Sequence, residues 1–216
     1  MRSREDPDFC HRLSEARRGE VTPELRQLLD WRKVTEHENE FDGSVLYARK
    51  IDVERINLAR LEGLSGEPVV FESEYLGEER YRKALTQNAP IPEKILLKKG
   101  ALVMLRQNDP KGKWVNGSLG HILEIEKRNL AIRLLNGSWV DIEPVRFSMQ
   151  DAEGNDVASV KNFPVNLAYA VTIHKAQGAT LDMVMVSLSQ LWEPGQAYVA
   201  LSRVKAASSL WVKDWN

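Results

Sequence analysis

The sequence predicts an α/β domain built on a parallel sheet, with a small all-β module inserted into it. Strand, helix and strand patterns alternate within residues 1–97 and again within residues 164–216, which is typical of an α/β layer. Between them, residues 98–163 contain short alternating apolar segments separated by turn residues, which is typical of a small barrel or curled sheet. We therefore expect one α/β domain formed by the two flanking parts and one inserted β domain.

The composition is that of an ordinary globular protein. The chain has 216 residues, of which 43% are hydrophobic and 28% are charged, and this balance excludes disorder as the main state. No apolar run approaches the roughly 20 residues of a membrane helix, and the N-terminal MRSREDPDFC lacks the apolar core of a secretory signal. The single cysteine, Cys10, excludes an internal disulfide bond and a cysteine-based zinc site. We expect an intracellular protein without a membrane partner.

The net charge of −1 does not by itself indicate a nucleic-acid-binding protein. The charges are unevenly distributed, since residues 98–146 hold nine basic and five acidic side chains. A local excess of positive charge fits a surface that contacts phosphates, but it also fits chance.

Two helices are predicted at the start of the chain. Asp6 can cap the first helix, Pro7 suits its first turn and Gly19 can end it. The second helix repeats the signal, with Thr22 as its cap and Pro23 in its first turn. Apolar residues follow both caps at helical spacing: Phe9, Leu13, Ala16, Leu25, Leu28 and Leu29.

The α/β pattern begins with a strand at residues 44–48, a helix capped by Asp52 and a second strand at residues 69–71. We predict that these two strands share one parallel sheet with two strands from the end of the chain. After Pro164 the predicted elements are a helix or helical turn at 167–177 closed by Gly178, a strand at 183–188, a helix at 195–204 and a strand at 210–212.

The inserted module is predicted from four short strands and one longer hairpin. Asn-Gly pairs at residues 116–117 and 136–137 are strong hairpin signals. The hairpin is expected at residues 147–163, with residues 151–155 at its tip. The four strands are expected at residues 101–106, 120–126, 130–135 and 138–142.

Several catalytic sequence patterns are absent from the 216 residues. The chain has no phosphate-binding G-x-x-x-x-G-K-[ST] loop, no Rossmann glycine pattern and no G-x-S-x-G nucleophile turn. The four histidines lie at positions 11, 37, 121 and 174, and with one cysteine they form no pattern typical of a metal site. No metal ligand is therefore predicted.

TIHKAQGATL is the first of two polar segments with functional potential. Thr172, His174, Lys175 and Gln177 supply hydrogen-bonding groups suited to phosphate and sugar oxygens, and Gly178 lets a backbone approach closely. The alternative is structural, because His174 and Lys175 near a helix C-terminus would also offset the helix dipole. The residues alone favour the structural interpretation.

GQAYVALSR, which ends at Arg203, is the second segment. An arginine at the end of a helix most often lies on the surface, where it offsets the dipole. The alternative is an arginine placed against the γ-phosphate of a nucleotide at a neighbouring domain, where it would neutralise charge in a phosphoryl-transfer transition state.

Longer stretches around these segments resemble a known family. PVNLAYAVTIHKAQGATLDMVMVSL and WEPGQAYVALSRV resemble motifs V and VI of superfamily 1 DNA helicases of the Pif/RecD type. GALVMLRQNDPKGKWVNGSLGHI resembles the family's segment leading into a small Src-homology-3-like barrel. MRSREDPDFCHRLSEARRGE resembles the segment that begins at motif IV with an arginine, here Arg2. The resemblance covers nearly the whole chain and is weakest over residues 65–95.

The resemblance implies the second of two RecA-like (P-loop NTPase-type) domains, residues 1–97 and 164–216, with a Src-homology-3-like barrel inserted at residues 98–163. Motifs I, Ia, II and III belong to the first domain of such helicases and are absent from this sequence, so a piece of a longer motor is expected. The resemblance implies that ATP and Mg²⁺ are bound mostly by that first domain, which is an implied partner. The chain alone is expected not to hydrolyse ATP.

Residue roles at the nucleotide follow from the resemblance only. Arg203 of motif VI would reach the γ-phosphate, and Arg2 of motif IV is a second catalytic candidate. Gln177 and Gly178 would lie at the turn between the DNA and ATP sides of the domain and would contribute to the ATP site with Arg203. Several other helicase families have a glutamate near the nucleotide sugar where this chain has Thr180, so no ribose contact is predicted.

The resemblance also implies DNA contacts from Thr172, His174 and Lys175 of motif V, whereas Tyr198 is expected to pack in the core. It implies an ATP-dependent helicase that translocates 5′→3′ on single-stranded DNA and unwinds duplex junctions in replication, repair or recombination. The location would be the bacterial cytoplasm, or the nucleus or a mitochondrion. The alternative is a non-catalytic nucleic-acid-binding or protein-interaction module that keeps a helicase-like fold.

Overall fold

The computed structural model describes residues 6–34, 41–88 and 92–215. By their internal contacts the residues divide into two compact units. We call the first the α/β unit: Met1–Arg60, Gly117–Leu119 and Ala168–Asn216. We call the second the β-rich unit: Leu61–Asn116 and Gly120–Leu167.

This division differs from the predicted domain bounds. The insertion was expected at residues 98–163, whereas residues 61–97 also belong to the β-rich unit by their contacts. The difference arises because strands in that segment pair with one another and with the hairpin predicted at residues 147–163.

The elements are numbered in chain order. The helices are α1 (Pro7–Arg18), α2 (Pro23–Trp31), α3 (Lys50–Glu62), α4 (Glu79–Asn88), α5 (Ile173–Ala176) and α6 (Gln196–Leu201). The strands are β1 (Ser44–Tyr47), β2 (Val69–Glu72), β3 (Glu74–Gly77), β4 (Lys94–Leu97), β5 (Leu102–Leu105), β6 (Leu119–Ile125), β7 (Leu130–Leu134), β8 (Trp139–Ile142), β9 (Val145–Gln150), β10 (Asp156–Asn162), β11 (Val165–Leu167), β12 (Ala170–Thr172), β13 (Val184–Ser187) and β14 (Leu210–Asp214).

The ends of the first two helices are as predicted. Oδ1 of Asp6 accepts a hydrogen bond from the Phe9 N–H at 2.9 Å, and Gly19 ends α1 with a φ of +77°. At the start of α2, Oγ1 of Thr22 accepts from the Leu25 N–H at 3.1 Å. Each cap satisfies a backbone donor that the start of a helix leaves without an intrahelical acceptor.

Glu15 joins these two helices and was not identified from the sequence. Its side chain is buried, and its carboxylate accepts from Oγ1 of Thr22 and from the guanidinium of Arg12, each at 2.9 Å. A buried carboxylate is tolerated when it is paired and hydrogen-bonded. The interaction therefore fixes the start of α2 against α1.

The α/β unit is built on a four-stranded parallel sheet in the order β12-β1-β13-β14. The central strand is β1, where Val45 lies opposite Ala170 in β12 and opposite Met185 in β13. All four residues of β1 are buried, as are all four of β13. Three of the four strands predicted for this sheet, now β1, β13 and β14, are confirmed.

One prediction for this sheet is wrong, and another is confirmed only in part. The strand expected at residues 69–71, now β2, pairs antiparallel with β4 in a separate two-stranded sheet. The helix or helical turn expected at residues 167–177 is confined to the single turn α5, and strand β12 precedes it. A short run of buried apolar residues fits a strand or a helix equally well, and here the pairing with β1 decides between them.

Two predicted helices have different bounds. α3 begins at Lys50, so Asp52 lies in its first turn rather than at its cap, and its carboxylate accepts from the Arg49 guanidinium at 2.8 Å. α6 ends at Leu201, so Arg203 lies just beyond the helix rather than within it.

Asn57 of α3 binds the outer edge of the parallel sheet. Its buried side-chain amide donates to the Ala170 carbonyl and accepts from the Ala170 N–H, each at 2.9 Å. The neighbouring carbonyl of Tyr169 accepts from the N–H of Val45 in β1, so the backbone groups of Ala170 point away from β1. One side chain thus satisfies both outward backbone groups of this residue.

Residues 32–34 cover the opposite edge of the sheet, at β14. The N–H of Val34 donates to the carbonyl of Val212, and the N–H of Val212 donates to the carbonyl of Arg32, each at 2.9 Å. The guanidinium of Arg32 lies 4.8 Å from the centre of the Trp211 ring. The segment therefore extends the parallel ladder by a short additional strand.

The β-rich unit contains a five-stranded sheet (β11-β5-β6-β7-β8), a three-stranded sheet (β3-β10-β9) and a two-stranded sheet (β2-β4). The four short strands predicted for the module are confirmed as β5 to β8, and the predicted hairpin is confirmed as β9 and β10. At the hairpin tip, Asp151 accepts from the N–H groups of Glu153 and Asn155 at 3.0 and 2.8 Å. In the described residues the five-stranded sheet runs from β11 to β8, in keeping with the predicted small barrel or curled sheet.

The β-rich unit has its own apolar core. Phe71 and Phe163 meet edge to face with ring centres 4.8 Å apart, and Phe163 is fully buried. Residues from all along the unit surround them, including Leu97, Val103, Ile122 and Ile132. None of the helices in the described ranges is long and apolar enough to cross a membrane.

Asp214 holds the carboxyl ends of β13 and β14 together. Its carboxylate accepts from the Ser187 hydroxyl at 3.0 Å and from the Ser189 N–H at 2.9 Å. Burial tends to raise the pKa of the Asp214 carboxyl, but the bonds from Ser189 and Ser187 outweigh it and hold the pKa below its ordinary value.

We expect Asp214→Asn to lower the free energy of unfolding by about 1 kcal/mol at pH 7, because it weakens charge-assisted bonds that solvent partly screens. A depressed pKa stabilises the folded state above the ordinary pKa, and this contribution is lost as the pH falls through the folded value. The difference in melting temperature from the unmodified chain should therefore shrink below about pH 4. Asp141→Asn, an exposed strand aspartate, is the control. A melting-temperature difference that stays constant from pH 7 to pH 3 would contradict the lowered pKa of Asp214.

Candidate functional site

Thr172 ends β12 and caps α5. Its Oγ1 accepts from the Lys175 N–H at 3.2 Å, and its side chain is buried. The carboxyl end of a parallel strand is where ligands approach α/β sheets, because the chain leaves the sheet there. The structure thus gives the hydroxyl of Thr172 a capping role, and its contact with DNA stays a prediction.

His174 is linked to the entry of α6 through Glu193. Nε2 of His174 lies 3.2 Å from a carboxylate oxygen of Glu193, and the same oxygen accepts from the side-chain amide of Gln196 at 3.0 Å. Gln196 is 4% exposed, and its amide oxygen accepts from the Trp192 N–H at 3.3 Å. Sequence reasoning did not identify Glu193 or Gln196, although both lie in the quoted WEPGQAYVALSRV stretch.

Arg203 binds back onto the turn that follows α5. Its Nη1 donates to the carbonyls of Ala176 and Ala179 at 3.3 and 3.4 Å. Its Nε donates to the carbonyl of Val199 at 2.6 Å, and its Nη2 donates to the hydroxyl of Ser202 at 2.6 Å. These bonds fix the direction of a half-buried guanidinium. The two long bonds from Nη1 are the weakest of the four.

Gln177 and Gly178 lie between the two carbonyls that bind Arg203. The N–H of Gln177 donates to the carbonyl of His174 at 3.1 Å, which closes the turn of α5. Gly178 has a φ of +83°, and no atom lies within 4 Å of the position that a Cβ would occupy. Both residues are exposed. The structure therefore places Arg203 beside the turn that contains Gln177 and Gly178, and their shared nucleotide site stays a prediction.

A cavity of about 190 Å³ opens beside this turn. Tyr198, expected in the core, is only half-buried and lines the cavity, with the Arg17 guanidinium 6.0 Å from its ring centre. Ligand sites that enclose a small molecule are usually about 300–1,000 Å³, so this cavity fits part of a ligand. Its other lining residues include His174, Gln177, Glu193 and Gln196.

The remaining predicted residues are placed differently. Lys175 lies on the exposed side of α5, next to His174. Arg2 lies outside the described residues. Within residues 6–34, 41–88 and 92–215, no group of three or more His, Cys, Asp or Glu side chains is arranged to hold a metal ion.

Proteins similar to this chain include DNA helicases. The chain is 46% identical over 208 residues to the ATP-dependent DNA helicase Pif1 of Bdellovibrio bacteriovorus, covering 96% of this chain and 47% of that protein. The chain therefore spans about half the length of this relative. No protein-family model matches the sequence.

Two solved structures give the same result for the fold. The crystal structure of Bacteroides sp Pif1 in complex with ADP-AlF4 matches with a TM-score of 0.85 and 27% identity, over 98% of this chain and 50% of that one. The Bacteroides Pif1 helicase in complex with ADP-AlF3 and single-stranded DNA matches with a TM-score of 0.66 and 27% identity, over 100% of this chain and 51% of that one. These matches confirm the predicted fold class, a RecA-like parallel-sheet domain with a β-rich insertion.

We expect Thr172→Val to lower the free energy of unfolding by about 1 kcal/mol, the usual cost of losing a helix cap. Valine keeps the shape of threonine and its preference for a strand, so the loss would report the hydroxyl alone. Thr86→Val is the control, because Thr86 lies on the exposed face of α4 and caps nothing. Urea unfolding of both variants gives the comparison. Equal stability of the two variants would show that the cap contributes nothing.

Proposed function

We propose that this chain, which is homologous to the C-terminal half of the Pif1 DNA helicases, is the second motor domain of an ATP-dependent DNA helicase. The observation on which the proposal mainly rests is the pair of bonds from Nη1 of Arg203 to the carbonyls of Ala176 and Ala179. These bonds attach Arg203 of the GQAYVALSR segment to the turn of the TIHKAQGATL segment. A change at the nucleotide would thereby reach the turn that bears His174 and Lys175.

At the nucleotide, Arg203 would stabilise negative charge on the γ-phosphate during hydrolysis, as arginine fingers do. A half-buried guanidinium suits an anionic ligand, and the bonds described above hold that of Arg203 beside the turn after α5. Gln177 and Gly178 would lie beside the phosphates, and Arg2 is proposed as a second arginine at the nucleotide. The related Bacteroides protein was crystallised with ADP-AlF4, which supports a nucleotide site in this family.

On the DNA side, Thr172, His174 and Lys175 would contact the phosphates of a single strand. The related Bacteroides helicase was crystallised with single-stranded DNA, which supports this choice of ligand. The two motor domains would close when ATP binds and reopen after its hydrolysis, so that they would bind the single strand in turn. We propose 5′→3′ translocation and the unwinding of duplex junctions during replication, repair or recombination.

The proposal requires a first RecA-like domain as partner. That domain would supply the phosphate-binding loop and would bind most of the ATP and the Mg²⁺, so the 216 residues alone would not turn over ATP. Since the substrate is cellular DNA, the protein would work inside the cell, in the bacterial cytoplasm or in a nucleus or mitochondrion.

In the complete motor, in which this chain is joined to its first RecA-like domain, we expect Arg203→Ala to reduce ATP hydrolysis by roughly 10³-fold or more. ATP binding should fall far less, because most nucleotide contacts lie in the other domain. Arg203→Lys should not restore ATP hydrolysis, since an ammonium group lacks the planar pair of donors that a guanidinium has.

Arg18→Ala is the matched control, because Arg18 also lies at the end of a helix and pairs with exposed Glu20. Its turnover should equal that of the unmodified motor. Melting temperatures measured on the same samples check that each variant is folded. Near-normal hydrolysis by the Arg203→Ala motor would remove the catalytic assignment.

We expect Lys175→Ala to weaken the binding of single-stranded oligonucleotides of every sequence to the same degree, because a phosphate contact contains no base information. The slope of log affinity against log salt should become shallower by about 1. Lys50→Ala is the control, since Lys50 is an exposed helix lysine paired with Glu54 at 3.2 Å. Fluorescence anisotropy on a panel of sequences at several salt concentrations measures both effects. A loss confined to some sequences would exclude a phosphate contact.

A further inference from the structure

Gly117 lies directly against the backbone that follows Gly178. A Cβ added at Gly117 would lie 2.7 Å from the carbonyl oxygen of Thr180 and 2.9 Å from the Cβ of Ala179. The φ of Gly117 is +103°, which also disfavours any other residue. The sequence predicted glycine here for a turn, whereas the structure adds a close contact that leaves no space for a side chain.

The segment that Gly117 contacts is attached to Arg203 at two points. The carbonyl of Ala179 accepts from Nη1 of Arg203 at 3.4 Å, and the N–H of Leu181 donates to the carbonyl of Arg203 at 2.9 Å. Ala179 and Leu181 are both buried, at 0% and 1% exposure. The segment between them therefore has little space to move away from Gly117 without moving Arg203.

The contact is part of a longer alignment between residues 117–119 and residues 179–182. The N–H of Leu119 lies 3.5 Å from a carboxylate oxygen of Asp182, and Leu119 is fully buried. Both segments belong to the α/β unit by their contacts, although the residues on either side of 117–119 belong to the β-rich unit. The three residues thus form a fixed support for the turn that binds Arg203.

We propose that Gly117 is a positioning residue that sets the place of the Arg203 guanidinium through the backbone of Ala179 and Thr180. The inference rests on the proposed role of Arg203 in ATP hydrolysis. A side chain at position 117 displaces the carbonyl of Ala179, and the 3.4 Å bond to Nη1 of Arg203 is the weakest restraint to give way. Gly178, the residue before Ala179, moves with the displaced backbone, because nothing lies within 4 Å of its Cβ position.

The test compares two glycines of positive φ in the complete motor. Gly117→Ala introduces backbone strain and the contact with Ala179 and Thr180. Gly112→Ala introduces backbone strain alone, since Gly112 has a φ of +73° and no atom within 4 Å of its Cβ position. We expect kcat for ATP hydrolysis to fall roughly 10- to 100-fold in Gly117→Ala, the scale of a displaced catalytic group, with the KM for ATP within about twofold. Gly112→Ala should keep the unmodified kcat.

A double variant distinguishes positioning from general damage. If Gly117 acts through Arg203, adding Gly117→Ala to the Arg203→Ala motor lowers the residual turnover no further. A loss that multiplies with that of Arg203→Ala would overturn the inference, as would equal kcat in the Gly117→Ala and Gly112→Ala motors. If Gly117→Ala does not fold, Ala179→Gly removes the methyl group facing Gly117 without a clash. It should lower kcat at unchanged KM, and an unchanged kcat would also overturn the inference.

Two controls separate this inference from the proposed function. An unmodified motor without DNA-stimulated hydrolysis, or an Arg203→Ala motor with normal turnover, would refute the proposed function itself. If the Arg203→Ala motor is inactive and the Gly117→Ala motor has the same kcat as the Gly112→Ala motor, only the role of Gly117 is refuted.

Discussion

The pairing of β1 with β12 and β13 is the interaction on which the α/β unit depends. A four-residue strand from the first quarter of the chain lies between two strands from its last quarter. Parallel strands point in the same direction, so the pairing places their carboxyl ends at one edge of the sheet. Thr172 emerges at this edge, and the turn with Gln177 and Gly178 follows from it. Neither end of the chain could form the candidate site without the other.

The bonds of Arg203 join two separate segments of the sequence. Carbonyl dipoles of Val199, Ala176 and Ala179 stabilise the guanidinium and direct it. The bonds to Ala176 and Ala179 are long, so a phosphate oxygen can replace them at small cost. An arginine restrained in this way would lose little conformational entropy at the proposed nucleotide site, which is the advantage of a preorganised group.

Local signals in the sequence predicted the parts of the fold that local chemistry decides. The caps Asp6 and Thr22, and the hairpins of the β-rich unit, depend on residues a few positions apart, and the structure confirms them. Strand β12 was predicted as part of a helix or helical turn because its short apolar run has no distinctive period, and its state depends on β1, more than 100 residues away. The strand predicted at residues 69–71 was assigned to the wrong sheet for the same reason, since antiparallel partners are not evident from the residues of one strand.

The candidate site shows the same division between local and distant causes. The polar residues of TIHKAQGATL and the final arginine were recognisable from sequence and from the family resemblance. Glu193 and Asn57 were not, because a polar residue that bonds to a distant segment looks the same in sequence as one that faces solvent. Gly117 was noted only as a turn, since the contact that excludes a side chain comes from Ala179 and Thr180, far along the chain.

The two covered edges of the parallel sheet have a consequence for the chain in solution. Unpaired strand edges invite pairing with another molecule, which leads to aggregation. Here the Asn57 amide occupies the backbone groups of Ala170 on one outer strand, and residues 32–34 pair with the other outer strand. Both devices come from the first 60 residues. A chain with an intact sheet but without these two contacts would expose both outer strands to pairing with other molecules, so its solubility would depend on them.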